Sequence, residues 1–521
     1  MEALFQYIDF EEQIASLNSP NDKGKKYVDA QPVNYYQSVV RIVRTASTLA
    51  LSTFKKPKKQ ARKSISEKVF NGVLHGGSLL AHQVKTVASG VSNIVTSSNT
   101  RPTWDYVTQF ALHFMRENMQ YPFHSMNFAR SGVETAGLVD LTPSGVLVKT
   151  CTFVINKSLL LAYEKRGREY QKNTSTWRYP IPSEDPTTST AGDFYTLDGE
   201  WLFPENENSI KARIFKSFQK SERKRKVIYY IHGGAYILGS AKIYRNLTGI
   251  LAKNCQYPVF ALNYRLAPEH PFPAGLHDVL AGYLWLLDPT NEMFENTSEM
   301  VHDPYDPEDI IISGDSAGGG LTMALINYLS MYLRDPDESL LIPFPKACIL
   351  LSPWVDLSCS TKSWKENSSF DFLPPNTYNL HEPVFSDVTH PVYSYCFGEN
   401  MDRPLDVLSP TGTVPYRIAS QAGEIETLRD ESIALAYKYH SQNRDSKTSW
   451  VRHELYKDMP HDFQVGSAWL PAARLSIKNF TYFAQSFFEC SRGCYDYFEP
   501  LELTPSEAEL LTMIDSHHDI K

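Results

Sequence analysis

One stretch decides how this chain folds: Ile310-Ile311-Ile312-Ser313-Gly314-Asp315-Ser316-Ala317-Gly318-Gly319. Its three isoleucines predict a short buried strand, and the run from Leu321 to Leu333 predicts a helix directly after it. Between them the pattern Gly-x-Ser-x-Gly predicts a sharp turn, where the residues two before and two after the serine must lack side-chain bulk. Such a turn exposes the serine hydroxyl at the C-terminal edge of a sheet, so we interpret Ser316 as a nucleophile.

Length and composition are typical of a globular protein with one large core and extensions. The chain has 521 residues, of which 42% are hydrophobic and 21% are charged. Residues 1–100 carry 13 Lys and Arg against 7 Asp and Glu, a net charge of +6. The remainder carries 38 against 52, a net charge of −14. This asymmetry predicts a basic arm on an acidic globule.

The cysteines and the N-terminus indicate a reducing compartment. Seven scattered cysteines show no metal-ligand spacing, so we expect reduced thiols and no metal site; a disulfide between Cys490 and Cys494 stays open. The first residues lack the pattern of a signal peptide. No apolar run reaches the length of about 18 residues that a membrane span needs. We therefore expect a cytoplasmic protein.

The basic arm contains two amphipathic stretches, residues 39–54 and 69–95, with a run of Lys and Arg at 55–63 between them. This pattern favours peripheral contact of residues 39–95 with an anionic membrane or lipid surface. The alternative is a solvated basic face packed on the body. His75-Gly76-Gly77-Ser78 mimics a catalytic loop, but it lies in a helical pattern with no strand before it, so we discount it.

From about residue 190, short apolar strands alternate with helical segments. This alternation predicts a mainly parallel sheet with helices on both faces. The eight predicted strands are Asp193–Leu197, Ile210–Phe215, Val227–His232, Val259–Asn263, Ile310–Ser313, Ala347–Leu351, Tyr416–Gln421 and Trp450–Tyr456. The segment Ser358–Gly398, the lid segment, is rich in proline and aromatic residues and predicts a lid over the strand ends, with a decorative loop as the alternative.

A serine nucleophile needs a histidine base and a third group that orients the base. In an α/β-hydrolase sheet they follow in the order serine, acid, histidine, on loops after later strands. His461 lies just beyond the last predicted strand, so we expect it to be the base. The other downstream histidines lie in less suitable places: His381, His390, His440, His453, His517 and His518.

The acid is expected after the strand Tyr416–Gln421, where carboxylates are frequent. Glu426 follows this strand directly and is our candidate. Asp430 is the rival, in a position where it could cap the next helix. The whole cluster could also be an acidic helix start that the helix dipole favours.

Acyl transfer also needs N–H donors for a developing oxyanion. Ile231-His232-Gly233-Gly234-Ala235 follows a predicted strand and resembles the His-Gly-Gly-Gly loop of lipases and esterases. Its glycines let backbone amides approach a substrate closely, and His232 is interpreted as structural. The expected oxyanion donors are the amides of Gly233, Gly234, Ala235 and Ala317.

Together these motifs resemble the hormone-sensitive-lipase-like family of α/β-hydrolases over residues 190–490, and more loosely from residue 101. The matching motifs are His232–Ala235, Asn263–His270, Pro271–Ala274, Gly314–Gly319, Glu426–Glu431 and His461. The resemblance implies an α/β-hydrolase fold with about eight strands, a helical cap and a triad of Ser316, Glu426 and His461. It also implies a structural role for the second motif, in which Arg265 pairs with Glu269 or Asp278.

This chain departs from the family pattern in two places. Family members often have aspartate where Glu426 stands, and Ala235 replaces the third glycine of the oxyanion motif. The expected domains are a basic extension (1–100), cap helices (101–190), a catalytic domain (191–490) with the lid insertion at about 358–398, and a tail (491–521).

The resulting prediction is a cofactor-independent carboxylic ester hydrolase that works through an acyl-enzyme. Its expected partner is a small-molecule or lipid ester and not a nucleic acid. The alternative is a receptor-like homologue that binds small molecules without catalysis; a scaffolding role has no feature in its favour. The sequence chooses neither the substrate nor the oligomeric state.

Overall fold

The computed structural model of the chain describes most of the region expected to be catalytic and parts of its flanks. The described residues are 5–8, 106–119, 141–162, 194–205, 225–297, 302–331, 341–373, 417–442, 450–467 and 470–489, with isolated positions at 89, 101, 104, 130, 165, 388, 390 and 392–394. The predicted strand Ile210–Phe215, nearly all of the arm 39–95 and the tail 491–521 therefore lie outside the described residues.

A sheet of ten strands crosses the described chain. The strands are β1 (Phe5–Ile8), β2 (Val146–Asn156), β3 (Phe194–Pro204), β4 (Val227–Ile231), β5 (Val259–Asn263), β6 (Phe294–Asn296), β7 (Ile310–Asp315), β8 (Ala347–Leu351), β9 (Arg417–Gly423) and β10 (Trp450–Tyr456). Their spatial order is β1-β10-β9-β8-β7-β4-β5-β3-β2-β6. In this spatial order, the first seven strands, from β1 through β10, β9, β8, β7 and β4 to β5, pair in parallel. The last three strands, β3, β2 and β6, each pair antiparallel with the strand before them.

The predicted α/β-hydrolase fold with a mainly parallel sheet is confirmed. The expected number of about eight strands is too low, because β1, β2 and β6 were not predicted. β1 lies in the expected basic extension (1–100), yet it pairs with β10 in parallel, with Phe5 opposite His453. Such a pairing arises between backbones that are distant in sequence, so no local pattern signals it. β2, for its part, lies in the segment expected to hold cap helices.

Helices accompany the sheet, and seven of them are labelled α1 to α7. They are α1 (Tyr106–Met119), α2 (Arg245–Cys255), α3 (Ala274–Leu287), α4 (Ser316–Met331), α5 (Ser363–Glu366), α6 (Arg429–Gln442) and α7 (Pro471–Glu489) among the described residues. None of the helices in these described ranges is long and apolar enough to span a membrane.

Alternation along the central strands divides the core into two faces. Ile310 and Ile312 pack in the cluster that contains α3, α4 and α6, whereas Ile311 packs in the cluster that contains α2 and α7. Successive side chains of a strand point to opposite faces, so helices on both sides bury both sets. β7, which contains these isoleucines, is therefore covered by helices on both faces of the sheet.

The segment expected to begin the cap contacts the loops that follow β9 and β10. Trp104 packs in a small apolar cluster with Ile425 and Met459, and its indole Nε1 donates to the carbonyl of Asp458 at 2.7 Å. Both contacts are with the loops that follow these two strands. The cap region therefore touches the edge of the sheet at which Ser316 also lies.

Candidate functional site

The serine turn, residues 314–318, joins β7 to α4. Ser316 has φ +51°, a strained conformation for a residue with a side chain. A Cβ on Gly314 would lie 2.4 Å from the carbonyl oxygen of Gly318, and a Cβ on Gly318 would lie 2.1 Å from that of Ile231. Both positions therefore require glycine, and the turn holds Ser316 at the strand end.

His461 lies in the histidine loop, residues 457–466, which follows β10. Its Nε2 is 2.9 Å from Ser316 Oγ, a hydrogen-bond distance. The same Nε2 is 3.2 Å from a carboxylate oxygen of Asp462, the next residue. Asp458 and Asp462 have positive φ values of 56° and 47°, a conformation that aspartate tolerates better than most residues. The loop thus presents the His461 imidazole directly to the serine.

Glu426 lies in the acid loop, residues 424–428, which follows β9. Its Oε2 is 3.9 Å from His461 Nδ1, longer than a hydrogen bond, while it accepts hydrogen bonds from Ser352 Oγ at 2.6 Å and the Gly423 amide at 3.0 Å. Within the described residues, neither His461 Nδ1 nor Glu426 Oε1 has a hydrogen-bond partner. Catalytic contacts are often long in free enzymes and tighten when substrate binds.

Asp430, the rival acid, contacts other groups. One of its carboxylate oxygens accepts the amide N–H of Ser363 at 2.9 Å, and the other accepts Arg429 Nε at 2.8 Å. It therefore ties the start of α6 to α5. Among the two candidate carboxylates, the structure places Glu426 beside His461.

Burial and neighbouring groups act in opposite directions on the pKa values of His461 and Glu426. Burial alone would lower the pKa of His461, but the carboxylates of Asp462, Glu426 and Asp371 outweigh it and raise the pKa to about 9. Burial raises the pKa of Glu426 to about 8, and the neighbouring His461 and Ser352 oppose this shift. The carboxylates around His461, Asp462 foremost, therefore favour an imidazole that carries a proton.

The oxyanion loop, residues 232–239, follows β4 and has an unusual backbone. Gly234 has φ +114°, and a Cβ there would lie 2.2 Å from the Leu238 carbonyl oxygen. Ala235 and Tyr236 also have positive φ values, 53° and 64°. Three successive residues with positive φ therefore turn the backbone sharply just after β4.

His232 stabilises this loop from beneath. Its Nδ1 lies 2.7 Å from the Gly233 carbonyl oxygen, and its ring stacks on Tyr264 at 4.5 Å between centroids. Burial lowers the pKa of His232 to about 4, so the imidazole is neutral at pH 7. A neutral, enclosed ring in this position holds the loop, and the imidazole within hydrogen-bond distance of Ser316 is that of His461.

Asp315, which sequence reasoning passed over, fastens the oxyanion loop to the serine turn. Its Oδ1 accepts the Gly233 amide at 3.1 Å and the Tyr230 hydroxyl at 2.7 Å. The amide of Gly233, one of the four expected oxyanion donors, is thus engaged by Asp315 in this structure. The sequence signal for Asp315 was its place at the first variable position of the Gly-x-Ser-x-Gly pattern.

The alternative left open for Arg265 is resolved by the structure. Its Nε and Nη2 donate to Asp278 Oδ1 at 2.9 and 2.7 Å, and its amide donates to Asp278 Oδ2 at 2.7 Å. Glu269 instead pairs with Arg130 at 2.7 Å. The paired Arg265 thereby joins the end of β5 to α3 beneath the site.

Comparison with known proteins gives the family. A family profile described as the α/β-hydrolase fold matches residues 228–465. An esterase of Acinetobacter venetianus is 31% identical over 264 residues, covering 50% of this chain and 75% of the relative. This chain belongs to the α/β-hydrolase family. The predicted family is therefore confirmed.

A further relative and a solved structure also resemble this α/β-hydrolase. A putative acetyl-hydrolase, LipR, of Mycobacterium tuberculosis is 33% identical over 253 residues, covering 48% of this chain and 70% of the relative. A solved structure of an esterase from the bacterial hormone-sensitive lipase family aligns with 22% identity and a TM-score of 0.48, covering 72% of this chain and 95% of that one.

Proposed function

We propose that this α/β-hydrolase is a carboxylic ester hydrolase with a triad of Ser316, His461 and Glu426. The observation that carries the proposal is the 2.9 Å contact between His461 Nε2 and Ser316 Oγ on a turn whose glycines admit no side chain. A serine and a histidine at this distance are the central pair of acyl-transfer catalysis. Glu426, on the Nδ1 side of His461, is the orienting group.

The reaction proceeds in two halves. Ser316 Oγ attacks the ester carbonyl carbon while His461 Nε2 takes its proton; His461 then returns that proton to the leaving alcohol, which leaves an acyl-enzyme. Water attacks the acyl carbonyl, His461 again takes and returns a proton, and the acid departs. Glu426 stabilises the cationic His461 that both halves form.

The oxyanion of each tetrahedral intermediate is assigned to amides of the oxyanion loop and the serine turn. Gly234 and Ala235 supply donors from the turned backbone, and Ala317 supplies one from the first turn of α4. The Gly233 amide, which donates to Asp315 Oδ1, ties the loop to the serine turn. It becomes a fourth donor if Asp315 releases it.

The relatives support a short acyl group. They are named esterase and acetyl-hydrolase. Small esters, including lipid acetates, are thus the proposed substrates. The receptor-like alternative is not favoured, since receptors of this kind lose a triad member and here all three candidate residues are present.

The test is hydrolysis of p-nitrophenyl esters of increasing chain length, with labelling of the active serine by a fluorophosphonate probe. Ser316→Ala is expected to abolish labelling and lower kcat by several powers of ten while the melting temperature stays near that of the wild type. Residual activity within about tenfold of the wild type would contradict the proposal.

For the basic arm, peripheral binding to anionic lipid remains the proposal, supported by six Lys and Arg between residues 55 and 63. Each contributes on the order of 1 kcal/mol near an anionic surface. Because β1 belongs to the sheet, truncation would also disturb the fold. The test is therefore flotation of the full chain, with and without these six charges changed to glutamine, on phosphatidylserine liposomes. Equal flotation of both forms would reject the role.

A further inference from the structure

The lid segment places a third carboxylate, Asp371, against the proposed triad. Its side chain is fully buried and accepts four hydrogen bonds. Oδ2 accepts the Thr427 amide at 2.7 Å and the Thr427 hydroxyl at 3.0 Å, while Oδ1 accepts the amides of His461 at 3.1 Å and Phe372 at 2.7 Å. A buried carboxylate needs such partners, and here three of the four come from the loops of the triad.

Those donors come from two different loops. Thr427 directly follows Glu426 in the acid loop, and His461 donates its own backbone amide from the histidine loop. Resting on the proposed function, we propose that Asp371 is a positioning residue that fixes His461 relative to Glu426, and that Arg116 couples this contact to the cap. Nothing in the sequence motifs of the active site assigns such a role to the lid segment.

The cap holds Asp371 through its backbone. Arg116 of α1 donates from Nε to the Asp371 carbonyl oxygen at 2.9 Å, and from Nη2 to the Ser368 carbonyl oxygen at 3.2 Å. Nearby, the Arg101 guanidinium lies 4.1 Å from the centre of the Phe370 ring. The chain of contacts therefore runs from α1 to Asp371 and from there to both triad loops.

Small displacements of the acid loop and the histidine loop matter, because one of the two triad distances is already longer than a hydrogen bond. His461 is at hydrogen-bond distance from Ser316, but 3.9 Å from Glu426. A misplacement of about 1 Å in a catalytic group costs on the order of a hundredfold in rate. Asp371 contacts the backbone of His461 and that of the residue after Glu426, so it limits this displacement.

The charge of Asp371 gives the proposal a second test, the pH dependence of kcat/KM. His461 faces Asp462 of its own loop, Glu426 of the acid loop and Asp371 of the lid segment, and Asp315 of the serine turn interacts with Asp462. Each carboxylate near His461 raises the pKa of the imidazole. Removing the Asp371 charge therefore lowers that pKa, so the acid limb of the kcat/KM profile moves to lower pH.

The experiment compares Asp371→Asn with a matched control, Asp356→Asn, in the full chain. Asp356 is also fully buried near the lid segment and accepts the amides of Ser358 and Ser360, both at 3.0 Å, but contacts neither triad loop. The rates are measured with p-nitrophenyl acetate from pH 5 to pH 10, with melting curves for each variant.

For Asp371→Asn we expect a fall in kcat of about a hundredfold with little change in KM, and an acid limb at lower pH. For Asp356→Asn we expect lower thermal stability with an unmoved acid limb. A loss of rate without a shift of the limb, or equal behaviour of the two variants, would overturn the proposal. If wild-type protein shows neither hydrolysis nor fluorophosphonate labelling, the proposed function fails instead.

Two further variants complete the test. If Asp371→Asn does not fold, Thr427→Val removes one of the four donors and keeps the charge; a several-fold lower kcat supports the proposal and an unchanged kcat overturns it. Arg116→Gln is expected to lower kcat about tenfold and to add little in the Asp371→Asn background, because coupled residues are not additive. Losses that simply multiply would overturn the link to the cap.

Discussion

Two loops at the same sheet edge each bury a histidine, and the two histidines differ in their charge. In the oxyanion loop, His232 meets a carbonyl oxygen and the Tyr264 ring, and burial lowers its pKa to about 4. In the histidine loop, burial also acts on His461, but carboxylates around it raise its pKa to about 9. The neighbours, and not the depth of burial, decide which histidine can hold a proton.

The difference assigns each loop a task. A histidine that stays neutral, like His232, can shape a backbone whose amides must face a developing anion. A histidine surrounded by carboxylates, like His461, can accept the proton of Ser316 and remain stable as a cation. The following predictions test this division, from the largest expected effect to the smallest.

The largest effect is expected from removing the two imidazoles in turn. His461→Ala should lower kcat/KM by several powers of ten, because Ser316 loses its base. His232→Asn should lower it by about tenfold, through loosening of the oxyanion loop. Steady-state kinetics with p-nitrophenyl acetate and melting curves measure both. Similar losses in the two variants would refute the division of tasks.

The carboxylates of the acid loop sharpen the comparison further. Glu426→Gln should lower kcat by about four powers of ten, since an amide cannot stabilise the cationic His461. Asp430→Asn should change kcat by only a few-fold, because Asp430 contacts Ser363 and Arg429. A greater loss in the Asp430 variant would make Asp430 the orienting acid.

The pH dependence of the rate reports the charge around His461. The base must be neutral, so kcat/KM should rise with pH until the pKa of His461, about 9, is passed. Asp462→Asn removes the nearest carboxylate, which lowers that pKa and moves the acid limb to lower pH. The profile of Asp356→Asn serves as the control. An Asp462 variant with the profile of the wild type would show that this carboxylate does not act on the imidazole.

The smallest effect concerns stability. The folded pKa of His232 lies below its usual 6.5, so its contribution is present above pH 6.5 and is lost as pH falls towards 4. That loss is on the order of 3 kcal/mol. The raised pKa of His461 acts in the opposite sense: its contribution is present below pH 6.5 and is lost as pH rises towards 9.

Melting temperatures of wild type and His232→Gln, taken from pH 4 to pH 7, measure this contribution. We expect the variant to lose less stability than the wild type on acidification, because it has no buried imidazole to charge. If the melting temperatures of the two proteins fall equally between pH 7 and pH 4, protonation of His232 does not destabilise the fold.

The sequence by itself determined the features that neighbouring residues specify. The isoleucines of β7 and the glycines at 314 and 318 follow from periodicity and from steric demands within one turn. The alternation of strands and helices predicted the parallel sheet, and position after a strand brought Glu426 and His461 to the edge where Ser316 lies. These inferences succeed because the cause of each feature is a few residues away.

Tertiary structure alone decided the contacts between distant residues. Asp371 and His461 are 90 positions apart, Gly233 and Asp315 are 82 apart, and β1 pairs with a strand near the other end of the chain. Arg265 had two carboxylates within plausible reach, and only the packing of β5 on α3 selected Asp278. Hydrogen bonds of buried polar groups depend on which groups meet after folding, so no spacing in the sequence could foretell that Asp371 contacts the loops of Glu426 and His461.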